Sequence, residues 1–382
     1  MKYVLSGIET MNKGAELMLY AILQQIGLHD SDAVVYVPNY ALHQGISYLK
    51  TDVDVRYKFN RNIEKIAETL HIPGMMRRLG VSDIIFTDHY PLRDIDYFID
   101  ASGFQFSDQW PSTKYRLMYW EKKLSYYHAH GTKCIFLPQA FGPINDINTK
   151  KLISIIGMYA DLIFPREEVS LNYMLHAGVN PSKMCVKTDF TSLVDGMFPS
   201  EYEHLRGQVC FIPNCRMLDR SNMTIDKYKS LLNLVIEEAE SVGRKVYLLN
   251  HEGIHDESIA YKLSRLSCKN LTVVSGLNAL EVKGLISASY LCITSRYHGL
   301  ASALNSCVPS LCTSWSHKYE CLYRDYDIPN GVLDTENIDK VGTIINQYLN
   351  PQFQYDYKIK LSKGIDLVKA SSLDMWMKVW KI

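Results

Sequence analysis

Short apolar runs alternate with helix-like segments along most of this 382-residue chain, and this alternation limits the folds it can adopt. The runs of the first half are KYVLSGI, AVVYVP, DIIFTD, DYFIDAS and KCIFLPQ; those of the second half are QVCFIPN, KVYLLNH, LTVVSG, YLCITS and SLCTSW. Strands separated by helices predict parallel sheets covered by helices. We therefore predict an α/β fold with two Rossmann-like, doubly wound domains that face each other across a cleft.

The stretch FPSEYEHLRG interrupts this alternation and marks a predicted domain boundary near residues 190–205. A chain of this length fits two domains. We place the first domain at residues 1–195 and the second at 205–355. Residues 356–382 form a separate C-terminal segment that is mostly helical.

Composition excludes several classes of function. The net charge is zero, so nothing in it favours binding to nucleic acid. Nine cysteines without a CxxC pair indicate reduced thiols in the cytoplasm. The N-terminus lacks the apolar region of a signal peptide, and no stretch approaches the ~20 apolar residues of a membrane span. Neither half carries GxGxxG or a Walker A loop, so we predict no dinucleotide or ATP cofactor.

The stretch SRYHGLASALNSCVPSL, residues 295–311, combines a cation and a titratable base at a predicted helix start. Because a strand-like run precedes it, Arg296 and His298 fall at the carboxyl edge of a parallel sheet, where ligands bind and helix N-termini attract anions. Arg offers a fork of donors to phosphate or carboxylate, and His transfers protons near neutral pH. A capping Arg and a hydrogen-bonded core His explain the pair equally well.

The sequence HEGIH, residues 251–255, has the HExxH spacing of zinc proteases. That motif binds zinc only within a helix, where residues i and i+4 share one face. Here Gly253 falls in a predicted strand-to-helix turn, so we predict no metal site. His251 and Glu252 are instead candidates for lining a ligand site, with an ordinary turn as the alternative.

Two further arginines follow predicted strands. Arg216 in IPNCRM and Arg166 in FPREEVS would add positive charge around an anionic ligand. Single arginines at such positions more often form surface salt bridges, which is the alternative for each.

Further candidates for hydrogen bonds to a ligand lie in the first half of the chain. In the loop ASGFQFSD, Gly103 permits close backbone approach and Asp108 is a candidate proton acceptor. Asn12 and Glu16 flank the start of the first predicted helix, where a loop residue and a first-turn carboxylate are the alternatives.

Several segments, taken in order, resemble the polysaccharide pyruvyltransferase family. They are GIETMNKGAELMLYAI (7–22), DYFIDASGFQFSDQW (96–110), LPQAFGP (137–143), PREEVS (165–170), the Arg-x-His unit followed by Ala and Pro, and WSHKY (315–319). The resemblance covers roughly residues 3 to 350. It implies a fold like that of GT-B glycosyltransferases, in which the C-terminal helix returns to the first domain.

The resemblance also implies a reaction. Phosphoenolpyruvate would be the donor and a glycan diol the acceptor, in capsular or exopolysaccharide biosynthesis, with no further cofactor. Forming a pyruvate ketal requires an acid–base residue, a base near the acceptor and cations for the donor. We assign His298 and Asp108 as catalytic; Arg296, Arg216, Arg166, His251 and Glu252 as donor-binding, in the second domain except for Arg166; and Asn12, Glu16, Gly103 and Gln139 as acceptor-binding.

Two other functions fit the same fold. One is a glycosyltransferase that uses a nucleotide sugar, and the other is a non-catalytic glycan-binding protein. The Arg296–His298 pair weighs against the second.

The location of the acceptor leads to a last expectation. Many capsule-type acceptors are lipid-linked, which would bring the protein to the inner face of the membrane. In residues 62–80, apolar positions at helical spacing accompany Arg77 and Arg78, a combination that fits peripheral contact with an anionic membrane. Packing on a core is the favoured alternative, because Pro73 and Gly74 interrupt the helix.

Overall fold

A computed structural model describes residues 1–38, 40–58, 93–110, 112–314 and 318–382. The predicted strand DIIFTD, the segment 62–80 and residues 315–317 of WSHKY lie outside the described residues. The chain divides into two compact units. The first unit comprises Met1–Thr10, Met18–Phe190 and Leu373–Ile382, and the second comprises Met11–Leu17 and Thr191–Ser372.

The first unit is built on a parallel sheet. Its strands are β1 (Lys2–Ser6), β2 (Val34–Val37), β3 (Asp54–Tyr57), β4 (Tyr97–Asp100), β5 (Lys133–Gln139) and β6 (Leu162–Pro165). They lie in the order β3-β2-β1-β4-β5-β6. Strand β3, which the sequence analysis missed, is an edge strand whose Asp54 and Arg56 are exposed, so its apolar signal is weak.

The helices that contribute to the first unit follow the strands in sequence. They are α1 (Lys13–His29), α2 (Lys114–Ala129), α3 (Ile147–Tyr159) and α4 (Glu168–His176). The side chains of Thr113 and Asp146 accept hydrogen bonds from backbone N–H groups at the starts of α2 and α3, which fixes where these helices begin.

The second unit repeats this architecture with five parallel strands. These are β7 (Val209–Ile212), β8 (Val246–Leu249), β9 (Thr272–Val274), β10 (Leu291–Thr294) and β11 (Ser310–Cys312), in the order β11-β10-β7-β8-β9. Its helices are α5 (Arg216–Arg220), α6 (Ile225–Ser241), α7 (Gly253–Leu266), α8 (Ala279–Ser287), α9 (Tyr297–Asn305), α10 (Lys318–Asp325), α11 (Ile338–Leu349) and α12 (Pro351–Val379).

The three central strands of the second unit are buried on both faces. All four residues of β7, β8 and β10 are buried. Alternate residues point to opposite faces, so Phe211 packs in one apolar cluster and Ile212 in the other. Burial on both faces is typical of parallel sheets covered by helices, and it explains why these strands appear in the sequence as continuous apolar runs. The predicted α/β fold class, with two parallel sheets covered by helices, is confirmed.

The C-terminal helix is longer than predicted. It begins at Pro351, where the ring of a first-turn proline costs no hydrogen bond, and it extends to Val379. Among the described residues, no helix combines the length and the apolar character needed to cross a bilayer.

Candidate active site

Three loops at one edge of the second unit's sheet carry most of the predicted donor-binding side chains. Strands β10, β7 and β8 are parallel neighbours and therefore end at the same edge. Arg216 follows β7, His251 and Glu252 follow β8, and Arg296 and His298 follow β10. The topology thus brings together residues that are far apart in the sequence, at the edge where parallel sheets bind ligands.

The guanidinium of Arg296 lies between two carboxylates. Its Nε donates to Oδ2 of Asp256 at 2.7 Å, its Nη2 lies 2.7 Å from the same oxygen, and its Nη1 pairs with Glu252. Burial raises the pKa of Asp256 to about 7 and lowers the pKa of Arg296 to about 10. Arg296 is the N-cap residue of α9, but its side chain does not cap the helix.

Asp256 also fixes the loop that follows β7. Its Oδ1 accepts a hydrogen bond from the backbone N–H of Cys215 at 2.9 Å. Within that loop, Asn214 Oδ1 accepts from the backbone N–H of Arg216 at 2.8 Å, and Asn214 Nδ2 donates to the carbonyl of Ser295 at 2.8 Å. One network of hydrogen bonds therefore sets the backbones that carry Arg216 and Arg296.

His298 lies against the start of the first helix, whose residues up to Leu17 belong to the second unit. A Cβ atom at Gly14 would lie 2.7 Å from Cγ of His298 and 3.0 Å from its Cβ, and closer still to Nδ1. Nearby, the backbone N–H of Lys13 donates to the carbonyl of His251 at 3.1 Å. The segment Met11–Leu17 thus contacts both histidines, and only glycine at position 14 leaves room for the imidazole.

His251 is buried and precedes α7, whereas His255 lies within that helix. The two residues therefore do not present the i, i+4 arrangement of a helical HExxH site. Burial, followed by the charges of Arg296, His298 and Lys13, lowers the pKa of His251 well below its usual value. Among the described residues, no group of three or more His, Cys, Asp or Glu side chains is arranged to hold a metal ion.

Asn12 and Glu16, predicted to bind the acceptor, make local contacts within the second unit. Asn12 Oδ1 accepts from the backbone N–H of Gly14 at 2.9 Å, as a helix N-cap does. Glu16 is fully buried, and its Oε2 lies 2.7 Å from Nζ of Lys13. Burial raises the pKa of Glu16 against the opposing effect of Lys13. These contacts match the cap and first-turn alternatives, and contact with an acceptor stays a prediction.

Asp108 lies in the first unit, and backbone groups occupy both of its carboxylate oxygens. The N–H of Asn145 donates to Oδ2 at 2.6 Å, and the N–H of Asp146 donates to Oδ1 at 3.2 Å. These bonds hold the loop before α3, so Asp108 has a structural role whether or not it also accepts a proton.

Gln139 and Gly103 lie at the carboxyl edge of the first unit's sheet. Gln139 is fully buried, and its Nε2 donates to Oδ1 of Asp100 at 3.1 Å. Gly103 adopts a φ of 69°, and its carbonyl accepts from the N–H of Ala140 at 2.9 Å. Burial raises the pKa of Asp100, a carboxyl group that the sequence analysis did not single out.

The other two predicted arginines differ in exposure. Arg216 has 46% of its side chain exposed and pairs with Asp219 at 2.7 Å within one helical turn. Arg166 is 4% exposed and lies in the first unit, 3.8 Å from Glu167 and 4.0 Å from Asp189. Arg216 therefore shares a unit with Arg296, and Arg166 does not.

Sequence reasoning missed the two residues that position Arg296 and His298. They are Asp256 and Gly14, and the sequence analysis singled out neither of them. One available signal was the spacing of Glu252 and Asp256, which places two carboxylates on the same side of the helix start.

Comparisons with known proteins identify the family and the fold. The model of the family described as Polysaccharide pyruvyl transferase matches residues 12–317. This range includes the second-unit residues discussed above, except for Met11 at the start of the segment Met11–Leu17. No curated relative matches the sequence.

Solved structures show the same fold at low sequence identity. A UDP-GlcNAc 2-epimerase from Neisseria meningitidis, bound to UDP-GlcNAc, matches with a TM-score of 0.60 and 9% identity over 100% of both chains. The Anabaena protein HepE, in complex with UDP-glucose, matches with a TM-score of 0.58 and 12% identity over 100% of both chains. A UDP-GlcNAc 2-epimerase from Methanocaldococcus jannaschii matches with a TM-score of 0.55 and 9% identity, over 92% of this chain and 94% of that one. These likenesses establish a GT-B-like fold.

Proposed function

Because the chain belongs to the polysaccharide pyruvyl transferase family, we propose that it transfers the enolpyruvyl group of phosphoenolpyruvate to two hydroxyls of a glycan sugar. The products are a cyclic pyruvate ketal and inorganic phosphate. The observation that carries this proposal is the placement of Arg296 and His298 at the start of α9, with Asp256 holding the guanidinium. An anion site beside a proton donor is what an enol phosphate requires.

The reaction has a balanced sequence of steps. His298 donates a proton to the methylene carbon of the donor, which leaves a cationic centre at the carbon that carries the phosphate. The oxygen of one acceptor hydroxyl forms a bond to this carbon and loses its proton to a base. The bond from that carbon to the phosphate oxygen then breaks, and a second hydroxyl closes the ring. One hydroxyl proton restores His298, and the other leaves with phosphate.

The donor is a trianion, so cations must bind its carboxylate and phosphate. Arg296 and Arg216, whose backbones are joined through Asp256 and Asn214, fit this role, with His251 and Glu252 beside them. On the acceptor side we propose Asp108 as the base. The proposed set also includes one further donor contact, Arg166. Its proposed acceptor contacts are Asn12, Glu16, Gly103 and Gln139.

The same proposal includes a setting for the reaction. We propose a role in making capsular or exopolysaccharide, in the cytoplasm, with a lipid-linked oligosaccharide as a candidate acceptor. None of the nine cysteines, all of which lie in the described part of the chain, forms a disulfide bond, which supports a reducing compartment. Peripheral membrane contact through residues 62–80 stays a prediction.

A glycosyltransferase acting on a nucleotide sugar is the rival function. The solved neighbours include proteins bound to UDP-GlcNAc and UDP-glucose, although at 9–12% identity the likeness concerns the fold alone. A thermal-shift comparison separates the two functions, because a ligand that binds the native state raises its melting temperature. Stabilisation by phosphoenolpyruvate and not by UDP-sugars supports the pyruvyltransferase.

The decisive experiment measures phosphate release from phosphoenolpyruvate in the presence of p-nitrophenyl glycosides with a free 4,6-diol, with mass spectrometry of the product. The wild type should form the ketal, and His298→Ala should lose about 100-fold or more in kcat while keeping its melting temperature. If no glycoside is pyruvylated and UDP-sugars alone stabilise the protein, the proposal is wrong. If His298→Ala stays within a few-fold of the wild type, His251 becomes the candidate acid.

A further inference from the structure

We propose that the two carboxylates on Arg296 have opposite effects on donor binding. Asp256 is a positioning residue that fixes the guanidinium, whereas Glu252 competes with an anionic group of the donor for Nη1. The inference rests on the proposed function, since it takes phosphoenolpyruvate as the donor. It corrects the assignment of Glu252 as a residue that favours donor binding.

Asp256 has the geometry of a permanent partner. One of its oxygens receives Nε and Nη2 of Arg296, both at 2.7 Å, and the other receives the backbone N–H of Cys215 at 2.9 Å. The Asp256 side chain has no exposed surface. A carboxylate held this way cannot leave without stranding a buried guanidinium, so it sets the direction in which the outer edge of Arg296 points.

Glu252 has the geometry of an exchangeable partner. Its side chain is 34% exposed and pairs with Nη1 of the guanidinium. Its backbone is fixed by other means, because it forms a bridge with Asn12 and its N–H donates to Oδ1 of Asn250 at 3.3 Å. The carboxylate can therefore turn towards solvent while the start of α7 stays in place.

The charges explain why exchange is needed. With Asp256 and Glu252 ionised, Arg296 is one positive charge beside two negative ones, which repels a trianion. Withdrawal of the Glu252 carboxylate removes one negative charge and uncovers N–H donors of the geometry that binds a phosphate or carboxylate. The Glu252 side chain is 34% exposed, so water can solvate its carboxylate when an anionic group of the donor takes its place on Nη1.

The test compares three isosteric variants by calorimetric titration with phosphoenolpyruvate in the absence of acceptor, and by the KM for phosphoenolpyruvate in the glycoside assay. Glu252→Gln should bind the donor up to about fivefold more tightly, since it removes the competing charge. Asp256→Asn should bind it about 30-fold or more weakly, because the guanidinium loses its fixed partner. Glu257→Gln, a neutralised carboxylate on the same helix, is the control and should stay within about twofold of the wild type.

The proposal is supported if Glu252→Gln binds phosphoenolpyruvate more tightly than the wild type and Asp256→Asn binds it more weakly. Weaker donor binding by Glu252→Gln overturns it, and so does unchanged binding by that variant. Glu252→Gln decides the matter by itself if Asp256→Asn does not fold. If the wild type does not bind phosphoenolpyruvate at all, the proposed function fails and this inference fails with it. If the wild type binds phosphoenolpyruvate and pyruvylates the glycoside, the function stands, and a contrary result for the variants refutes only the roles of the two carboxylates.

Discussion

Replacement of Gly14 by alanine tests whether the first helix sets the position of His298. The added methyl group would lie 2.7 Å from Cγ of the imidazole, and an ordinary contact is at least 3.4 Å. The ring carbon must therefore move by about 0.7 Å (3.4 minus 2.7), and Nδ1, which is closer, must move further. A displacement of ~1 Å in a catalytic group costs about 100-fold in rate.

Gly14→Ala should lower the stability of the protein without unfolding it. Overpacking costs about 1–3 kcal/mol, and alanine in place of glycine within a helix returns up to about 1 kcal/mol. The net loss is then about 0–2 kcal/mol, which a folded domain tolerates.

The assay is kcat for phosphate release with a saturating glycoside, together with the melting temperature. Gly342→Ala is the matched control, because the atoms nearest to its Cβ would be the ends of flexible side chains: the two methyl carbons of Leu234 at 3.3 and 3.6 Å and Oε1 of Glu238 at 3.8 Å. This variant should keep the kcat of the wild type. A Gly14→Ala protein with kcat within threefold of the wild type would refute the reasoning, since His298 would then not depend on the space that Gly14 leaves.

Three further predictions concern the same edge of the sheet. Arg296→Lys should weaken binding of phosphoenolpyruvate by about tenfold or more in calorimetry, because one ammonium group cannot reproduce the Nε and Nη2 contacts with Asp256 and also bind the donor; unchanged affinity would remove Arg296 from the donor site. The pKa of His251 is lower in the folded protein than in the unfolded chain, so the native state binds fewer protons than the unfolded state. The stability of the protein should therefore fall as the pH drops below about 6.5, by up to about 1.4 kcal/mol per pH unit. In urea unfolding between pH 7.5 and 5.5, His251→Asn should lose less stability than the wild type, and equal losses would contradict the burial argument. Activity should persist in excess EDTA, because His251 and His255 are not paired on a helix face; loss on chelation that zinc restores would reverse this view.

The sequence by itself determined the architecture. Parallel strands buried on both faces must be continuous apolar runs, so β7, β8 and β10 could be located from CFI, YLL and CIT alone. The ends of the predicted strands also indicated Arg296, His298, His251 and Glu252 as candidates for a ligand site, and their role in donor binding stays a prediction. Strand β3 was not predicted, because the exposed charges of this edge strand interrupt the continuous apolar run that marks a buried strand.

Only the tertiary structure decided what these residues contact. Local spacing could not reveal that Asp256 accepts hydrogen bonds from both Arg296 and Cys215, because these three residues come from different strand-end loops. It also could not reveal that residues 11–17 pack in the second unit, where Gly14 leaves space for His298. Secondary structure follows from periodicity within one segment, whereas a pairing between segments depends on strand order and register, which the sequence encodes only through the packing of the whole unit.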